Sequence, residues 1–398
     1  MRPISVLRIA LPLLLTAAGS LSADPPLRVR EVIKPTPGPW GTLEYYRIPL
    51  DVPERYLPFL TTPSQRTEWV FPPLGSETNL RALLSEAGID PVEVDRLLKG
   101  STILSGSEIL RVFPTDEAIL EMPHETRGRL YRLLSGYEEN PYHVRPIYID
   151  SDNLSSWFAG SSFPRTAIED ISKLAYATPR ERGFFFSDTP FILRRASSTT
   201  EEREILRRLL RRQSLIVRLR VTRENLTREI GEYWTGYKNK AVMPLLESVV
   251  AAKDGAAVDI AHLLPATPRQ LLNRFPDPGD GISGRLPDWF WTCYNFFRFV
   301  PRNVYADSPE RTALLFREFE PTLPPLQFGD MLLLNSGTDT IHGCVHIADD
   351  IVYTKNGADL FSPWALMRLE DVVAYHDLHG DVSISVYRRK EPVAPPIR

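Results

Sequence analysis

Cysteine is scarce in this chain: its 398 residues include two, Cys293 and Cys344. This number excludes a small disulfide-stapled scaffold, which needs several cysteine pairs in place of a large core. At most one disulfide can form within the chain, and a free-thiol role stays open for each cysteine. A chain of this length can instead bury sizeable hydrophobic cores and is long enough for two domains.

The chain also lacks a strong excess of charge of either sign. It has 47 Lys and Arg residues against 50 Asp and Glu residues, for a formal net charge of −3. Nucleic-acid binding needs a basic surface that contacts phosphates, so this balance argues against a nucleic-acid partner. The 36 prolines are spread along the chain, and they favour many short elements over a helical bundle.

Long apolar segments are missing after the amino-terminal region, so we expect no transmembrane helix and no stable membrane insertion. Residues 1–23 are typical of a secretory signal, because Arg2 and Arg8 flank the start of a short apolar core and small residues follow it. That core is shorter than the roughly 20 apolar residues that span a bilayer. We expect a secreted or periplasmic mature protein, with an uncleaved membrane anchor as the alternative.

Residues 290–356 contain the residue types of thiol catalysis. Cys293 falls on a predicted helix for which Asp288 is a suitable N-cap. Gly329-Asp330 opens an apolar strand, and His342 opens a second predicted strand. A thiol acts as a nucleophile when a positioned imidazole takes its proton, and the amino end of a helix favours the thiolate. This pattern predicts Cys293 as the nucleophile and His342 as the base.

The predicted helix also has a strongly apolar face, formed by Trp289, Cys293, Phe296, Phe297 and Val300. We expect this face to pack on a sheet, which is where a histidine partner must lie. Cysteine on an apolar face is also typical of a small core residue, because free cysteine is among the most buried residue types. A purely structural role for Cys293 therefore stays open.

The order and spacing of these motifs resemble the NlpC/P60 family, the small papain-like cysteine peptidases and amidases of bacterial cell walls. Gly329-Asp330 with its apolar run, and the segment from His342 to Asp350, match the family pattern. The nucleophile motif departs from that pattern, because Thr292-Cys293-Tyr294-Asn295 stands in place of Asp-Cys-Ser-Gly. The family's third polar residue, usually a histidine, corresponds to Thr354 here.

The resemblance implies an α+β fold with a papain-like carboxy-terminal domain, residues 222–398, in which the helix bearing Cys293 packs on an antiparallel sheet. Residues 24–221 are expected to form a mixed α/β amino-terminal domain of unknown role. The implied function is hydrolysis of an amide or peptide bond in an exported bacterial protein, with peptidoglycan stem peptides as the substrate. A catalytically inactive cell-wall or partner-binding protein that retains the fold is the alternative.

A histidine base needs an acceptor that holds its second ring nitrogen. Asn356 offers an amide oxygen for this role, as in a Cys-His-Asn arrangement. The Asn356-Gly357 pair is also a strong turn signal, so a turn is the competing interpretation. His346 and Thr354 are rival candidates for the orienting role. The acidic pair Asp349-Asp350 is expected to form a hairpin turn and not a metal site.

Two structural roles for the cysteines stay open beside the catalytic one. Period-two alternation places His342, Cys344 and His346 on one strand face, and Cys293 would complete four residues of zinc-binding type. Successive same-face positions lie about 7 Å apart, which is awkward around one ion, so no metal is expected. A disulfide between Cys293 and Cys344 is the second alternative.

The segment Gly279-Asp-Gly281-Ile-Ser-Gly284 matches the dinucleotide fingerprint letter for letter. The fingerprint binds pyrophosphate only where its glycines join a strand to a helix. Pro276 and Pro278 precede the segment and Pro287 interrupts the expected helix, so we expect no cofactor.

A predicted helix at residues 200–212 is rich in arginine. Such a basic face is able to hold an anionic wall polymer. We expect instead a solvated face balanced by neighbouring glutamates. Its arginines are Arg207, Arg208, Arg211 and Arg212.

Overall fold

The computed structural model describes residues 31–59, 66–72, 74–106, 109–151, 153–160, 163, 165–236, 241–282 and 285–390. The predicted signal sequence, residues 1–23, lies outside the described residues. From Val32 onward the chain forms one compact unit.

Strands and helices follow one another irregularly along the chain. The strands are β1 (Thr42–Leu50), β2 (Trp69–Phe71), β3 (Thr102–Ser105), β4 (Leu110–Phe113), β5 (Ile147–Ile149), β6 (Tyr176–Ala177), β7 (Phe184–Phe186), β8 (Arg212–Val221), β9 (Ala256–Asp259), β10 (Phe319–Pro321), β11 (Met331–Ser336), β12 (Asp339–Ala348), β13 (Ile351–Lys355), β14 (Trp364–Arg368) and β15 (Ser383–Arg389).

The α-helices are α1 (Glu77–Glu86), α2 (Pro91–Leu98), α3 (Asp116–Leu120), α4 (His124–Leu134), α5 (Pro141–Val144), α6 (Leu154–Trp157), α7 (Arg165–Leu174), α8 (Thr189–Arg194), α9 (Thr199–Leu209), α10 (Arg228–Thr235), α11 (Val242–Ala252), α12 (Ala266–Leu271), α13 (Pro278–Ile282), α14 (Trp289–Asn295), α15 (Arg311–Glu318) and α16 (Leu369–His376). Two 3₁₀ turns span Glu54–Phe59 and Ile260–His262.

The largest sheet of the described chain has six strands in the order β10-β15-β11-β12-β13-β14. Its neighbouring strands are all antiparallel. Three further sheets have three strands each, in the orders β1-β8-β9, β2-β4-β3 and β5-β7-β6. This mixture of helices with antiparallel sheets confirms the predicted α+β class. The papain-like details of that class stay a prediction.

The six-stranded sheet is buried on two faces that belong to different hydrophobic clusters. Alternate residues such as Leu333, Val345 and Tyr353 pack with α14 in the largest cluster. The residues between them, such as Leu332 and Cys344, pack with Val372 of α16 in a smaller cluster. Side chains of successive strand residues point to opposite faces, so residues two apart along a strand lie on the same face of the sheet.

Helix α14 begins as the sequence predicts and ends earlier. The Asp288 side chain accepts a hydrogen bond from the Trp291 amide at 2.8 Å, which confirms Asp288 as the N-cap. After Asn295 the chain turns, because the Asn295 side chain binds the backbone N–H and C=O of Arg302. The predicted placement of Val300 on the apolar helix face is therefore wrong. Val300 lies beyond the helix and is 72% exposed.

The predicted boundary between residues 221 and 222 falls within the largest cluster. Leu43 of β1 and Val217 of β8 share this cluster with α14 and the six-stranded sheet. The Leu366 amide of β14 also donates to the Ser214 hydroxyl of β8 at 3.2 Å. A second large cluster is formed mainly by residues between Trp69 and Leu209. The division into domains at this boundary stays a prediction.

The described helices include none that is both long and apolar enough to cross a membrane.

The first prediction concerns the contact between β12 and α14. A Cβ on Gly343 would lie 2.6 Å from Cε3 of Trp289. We expect Gly343→Ala to lower the free energy of unfolding by about 1–3 kcal/mol, because the helix must move away from the sheet. Urea denaturation followed by circular dichroism measures this change.

Gly128→Ala in α4 is the matched control, because the nearest atom to its added Cβ is 4.0 Å away. It should be neutral or slightly stabilising, since alanine favours helix over glycine. An unchanged stability in Gly343→Ala would contradict the close approach of Trp289 to β12.

Candidate functional site

His342 lies on β12 and is 1% exposed. Its Nε2 is 2.9 Å from the Thr354 hydroxyl on β13, and that hydroxyl donates to Oδ1 of Asn356 at 2.8 Å. Since the threonine proton is given to Asn356, its oxygen accepts from Nε2–H of His342. His342 is thereby held in the tautomer whose Nδ1 is unprotonated.

The three candidates for the orienting role differ in how directly they contact His342. Thr354 contacts His342 directly, and Asn356 contacts it through Thr354. His346 lies apart from both, because its ring nitrogens contact the backbone oxygens of Gln327 and Asp349. The structure therefore brings His342, Thr354 and Asn356 together, with Thr354 in the middle.

A second histidine, His376 at the end of α16, stacks on His342. Their ring centroids are 3.8 Å apart and the planes are inclined by 15°. Burial lowers the pKa of His376 from 6.5 to about 3. Burial, with the nearby His376 and Lys355, also holds the pKa of His342 well below its ordinary value. Both rings are therefore neutral at pH 7.

Charged residues from the amino-terminal half of the chain hold α16 in place above the sheet. Asp371 of α16 forms ion pairs with Arg47 at 2.9 Å and with Arg182 at 2.7 Å. Tyr375 packs edge-on against Tyr148 with ring centroids 5.2 Å apart. The sequence pattern gave no signal for His376, because its contact with His342 depends on this long-range docking.

Cys293 lies in α14 and is 3% exposed. Burial raises the pKa of its thiol well above the ordinary value, and Cys344 and Asp288 add to the shift. Burial and the neighbouring Cys293 likewise raise the pKa of Tyr353. The Cys293 sulfur is therefore a protonated thiol in an apolar core at neutral pH.

The sheet lies between Cys293 and His342. Cys293 belongs to the cluster that contains Val345 and Tyr353, on one face. His342 is two residues from Cys344 on β12 and therefore shares its face, which is covered by the other cluster. Its partner Thr354 is two residues from Val352 on β13 and lies on that same face. Part of α14 comes near the imidazole, since the Trp289 ring centroid is 6.5 Å away. The structure does not bring the sulfur and the imidazole together.

Both cysteines are free thiols. The described part of the chain contains no group of three or more His, Cys, Asp and Glu residues arranged to hold a metal ion. The fingerprint segment at residues 279–284 lies partly outside the described residues, and its described beginning falls in the short helix α13. The Asp349-Asp350 pair forms the turn between β12 and β13, as predicted, with Asp349 at φ 53°.

The Gly329-Asp330 motif has a structural role in this arrangement. Asp330 is buried and its carboxylate binds Arg388 of β15, with contacts of 2.8 and 2.7 Å. It also accepts from the Gln327 amide, and its carbonyl accepts from the His346 amide. Gly329 adopts φ 91°, a conformation that favours glycine. The motif therefore ties the start of β11 to β12 and β15.

A buried lysine is a further feature that the sequence pattern did not reveal. Lys355 ends β13, and its ammonium donates to the carbonyl oxygens of Gly357 and Asp359. Burial lowers its pKa to about 8, although Asp359 and Asp288 favour the charged form. The ammonium also lies 5.6 Å from the ring centroid of Trp364. Lys355 thus fastens the loop that follows Asn356.

Comparison of the chain with protein-family models, with curated proteins and with solved structures gave no match.

The second prediction concerns the stacked histidines. The folded-state pKa of His376 is about 3 and its ordinary value is 6.5, so between these values the unfolded chain takes up a proton that the folded chain refuses. The free energy of unfolding should therefore fall as the pH falls below 6.5. Each such histidine contributes a loss of about 1.4 kcal/mol at one pH unit below its unfolded pKa.

We expect His376→Leu to reduce this pH dependence, measured by urea denaturation at pH 7.5 and pH 5.5 (about one unit below the unfolded pKa). The exposed His379 provides the matched control, and His379→Leu should keep the pH dependence of the parent protein. An equal pH dependence in His376→Leu and the parent would show that His376 is not held neutral by its burial.

Proposed function

We propose that this protein is a non-catalytic binding protein of the bacterial cell wall, with a peptidoglycan-type peptide as its ligand. The observation that supports the proposal is the placement of Cys293 and His342 on opposite faces of the six-stranded sheet. The protein would then bind the same class of ligand as the NlpC/P60 family that it resembles, without the thiol chemistry of that family.

Thiol hydrolysis needs a short distance between sulfur and base, an accessible sulfur and a lowered thiol pKa, and this arrangement provides none of the three. A catalytic sulfur must lie within hydrogen-bond reach of its base, at about 2.6–3.2 Å or somewhat further without substrate. It must also reach solvent and have a lowered pKa. Cys293 is buried in the core and its pKa is raised by that burial. The His342 ring lies on the other face of the sheet, where the His376 ring covers it at a centroid distance of 3.8 Å.

An open groove of about 640 Å³ offers a place for the ligand. One wall is the 3₁₀ turn Glu54–Phe59, and the other is the segment that leads into α9, together with the first turns of that helix. Its lining includes hydroxyl, carboxylate and guanidinium groups beside Leu57 and Pro58. This volume lies within the range of small-molecule pockets.

The charges along this groove have both signs. Arg207 lies 4.0 Å from Glu54 and 3.8 Å from Glu204. Both ion pairs are long, so a carboxylate of a ligand can replace either glutamate as the partner of Arg207. Arg203 is exposed in the same lining, and it has no carboxylate partner among the described residues. Arginine binds carboxylates in a forked geometry, and glutamates bind amines. A peptide that carries both carboxylates and an amine complements such a lining.

The other three arginines of this region contact the rest of the fold, and among them Arg212 donates to the Arg211 carbonyl at 3.2 Å. Arg208 forms an ion pair with Glu204 at 2.9 Å, and Arg211 forms one with Asp51 at 2.6 Å. Arg211 also donates to the Trp157 carbonyl at 2.7 Å. Arg208 is balanced by a helix glutamate as expected, whereas the buried Arg211 lies beyond α9 and is not part of a solvated face. Arg203 and Arg207 are the cations of the groove lining.

The third prediction tests the absence of thiol chemistry. In Cys344→Ala, which keeps Cys293 as its single thiol, we expect a thiol reagent to label the folded protein at least about a thousandfold more slowly than the unfolded chain. The reason is that access to a core thiol requires opening of the structure. Labelling is followed by absorbance at neutral pH, with and without urea.

Cys293→Ala is the matched variant, since it keeps Cys344 as its single thiol. Both variants should also leave the release of peptides from peptidoglycan at the level of a buffer blank. Rapid labelling of Cys293 alone, together with peptide release that is lost in Cys293→Ala, would establish the hydrolase and overturn the proposal.

The fourth prediction tests the groove. We expect Arg203→Ala to weaken binding of soluble peptidoglycan fragments, measured by titration calorimetry, by about tenfold, because a charged hydrogen bond to a ligand carboxylate is lost. Arg228→Ala is the control, because Arg228 is an exposed arginine of α10. Equal affinity in Arg203→Ala and the parent would exclude this groove as the site.

A further inference from the structure

Three large apolar side chains, two in the loop after α14 and one in α15, are exposed. Phe299 is 82% exposed, Val300 is 72% exposed and Phe316 is 55% exposed. Phe299 and Val300 belong to the loop after α14, and Phe316 belongs to α15. Single exposed apolar residues are ordinary, but apolar residues that share a patch mark interaction sites.

Glu318, at the end of α15, links the loop to the helix. Its carboxylate accepts from the Tyr294 hydroxyl at 2.6 Å and pairs with Arg298 at 2.6 Å. Arg298 directly precedes Phe299, and Glu318 follows Phe316 by two residues. These contacts place the loop after α14 beside the carboxyl end of α15.

Cations outnumber carboxylates in this region. Glu318 is the shared partner of Arg298, Arg317 and Arg389, at 2.6, 3.4 and 3.4 Å. Arg302 donates to the Tyr294 hydroxyl at 3.2 Å.

Lys390 adds a fifth cation beside this carboxylate. It donates to the Phe316 carbonyl at 2.7 Å, and its amide donates to the Glu318 carbonyl. Glu320 is the next carboxylate along the chain and is exposed. The region thus has a positive excess in a protein whose formal net charge is −3.

An apolar cleft of about 310 Å³ adjoins this region. Phe299 lines the cleft, together with Phe297, Phe328 and Leu263. Arg269 and Arg298 contribute cationic groups to the same lining. The cleft offers an apolar volume directly beside cationic groups, which matches an acyl chain beside an anionic headgroup.

We propose that this basic apolar patch docks the protein on the surface of a bilayer rich in anionic phospholipid. The patch consists of Phe299, Val300, Arg302, Phe316, Arg317 and Lys390. Phe299 and Val300 enter the boundary between headgroups and acyl chains, and the cations stay at the level of the phosphates. The attachment is peripheral, and it is independent of the peptide groove beside α9.

The charge and the apolar groups together favour a lipid surface over other anionic partners. A basic segment gains about 1 kcal/mol per Lys or Arg near an anionic membrane. Exposed aromatic and aliphatic side chains add apolar burial at the acyl boundary, and this combination is typical of interfacial anchors. A soluble polyanion would use the cations alone and would leave Phe299 and Val300 in water.

The fifth prediction is measured by flotation of the full chain with vesicles. We expect binding to vesicles of phosphatidylglycerol and phosphatidylcholine, and little binding to phosphatidylcholine alone. Binding should weaken with added salt, because exposed charges are screened. Arg302→Glu and Lys390→Glu should each lower the affinity at least about fivefold, and the double variant Phe299→Ser with Val300→Ser should also lower it.

Val92→Ser and Arg228→Glu are matched controls, because both residues are exposed on other helices. They should bind as the parent does. Equal binding to both vesicle types, no binding, or equal losses in the controls would overturn the proposal. Binding of a single-stranded oligonucleotide as tightly as the anionic vesicles would overturn it as well, since the apolar side chains would then be idle.

Discussion

The register of β12 between β11 and β13 is the constraint on which the arrangement of the candidate site depends. Leu334 is paired with His342 and Val345 with Tyr353, so the two faces of the strand are assigned along its length. A shift of one residue would exchange the faces. Each face is closed by a different helix, α14 on one side and α16 on the other. The face on which each cysteine lies therefore decides which helix buries it.

Contacts that lie far apart in the chain maintain this division. Asp330 binds Arg388, which joins the start of β11 to the last strand. Arg47 and Arg182 bind Asp371 and hold α16 against the sheet. Each of these carboxylates is nearly buried, so the loss of all its arginine partners would leave a charge without compensation, an effect that costs about 3–5 kcal/mol in proteins. The amino-terminal half of the chain therefore takes part in shaping the environment of His342.

Local sequence signals predicted the elements of the site well. The N-cap Asp288, the strands around Leu332 and His342, and the turn at Asp349-Asp350 all depend on nearest neighbours in the chain. Thr354 was among the candidates for the partner of His342, because it stands 12 residues after His342, where the resembling family has its third polar residue. Helix caps, strand alternation and turns each depend on residues that are close together in the sequence.

The side of the sheet on which α14 lies could not be predicted in the same way. The apolar face of the helix does not indicate which side of the sheet it covers, and on the observed side Trp289 packs where Gly343 has no side chain. The contact of His376 with His342 depends on ion pairs to Arg47 and Arg182, which no pattern near His376 reveals. Tertiary packing decides both, and with them the distance between sulfur and imidazole.

The placement of Cys293 and Cys344 on opposite sides of a continuous sheet has a consequence for their oxidation. Two sulfurs can join only when their Cα atoms are within about 7 Å and their Cβ atoms point towards each other. Here the backbone of β12 and β13 stands between the two side chains. The folded chain therefore forms no internal disulfide in either reducing or oxidising surroundings.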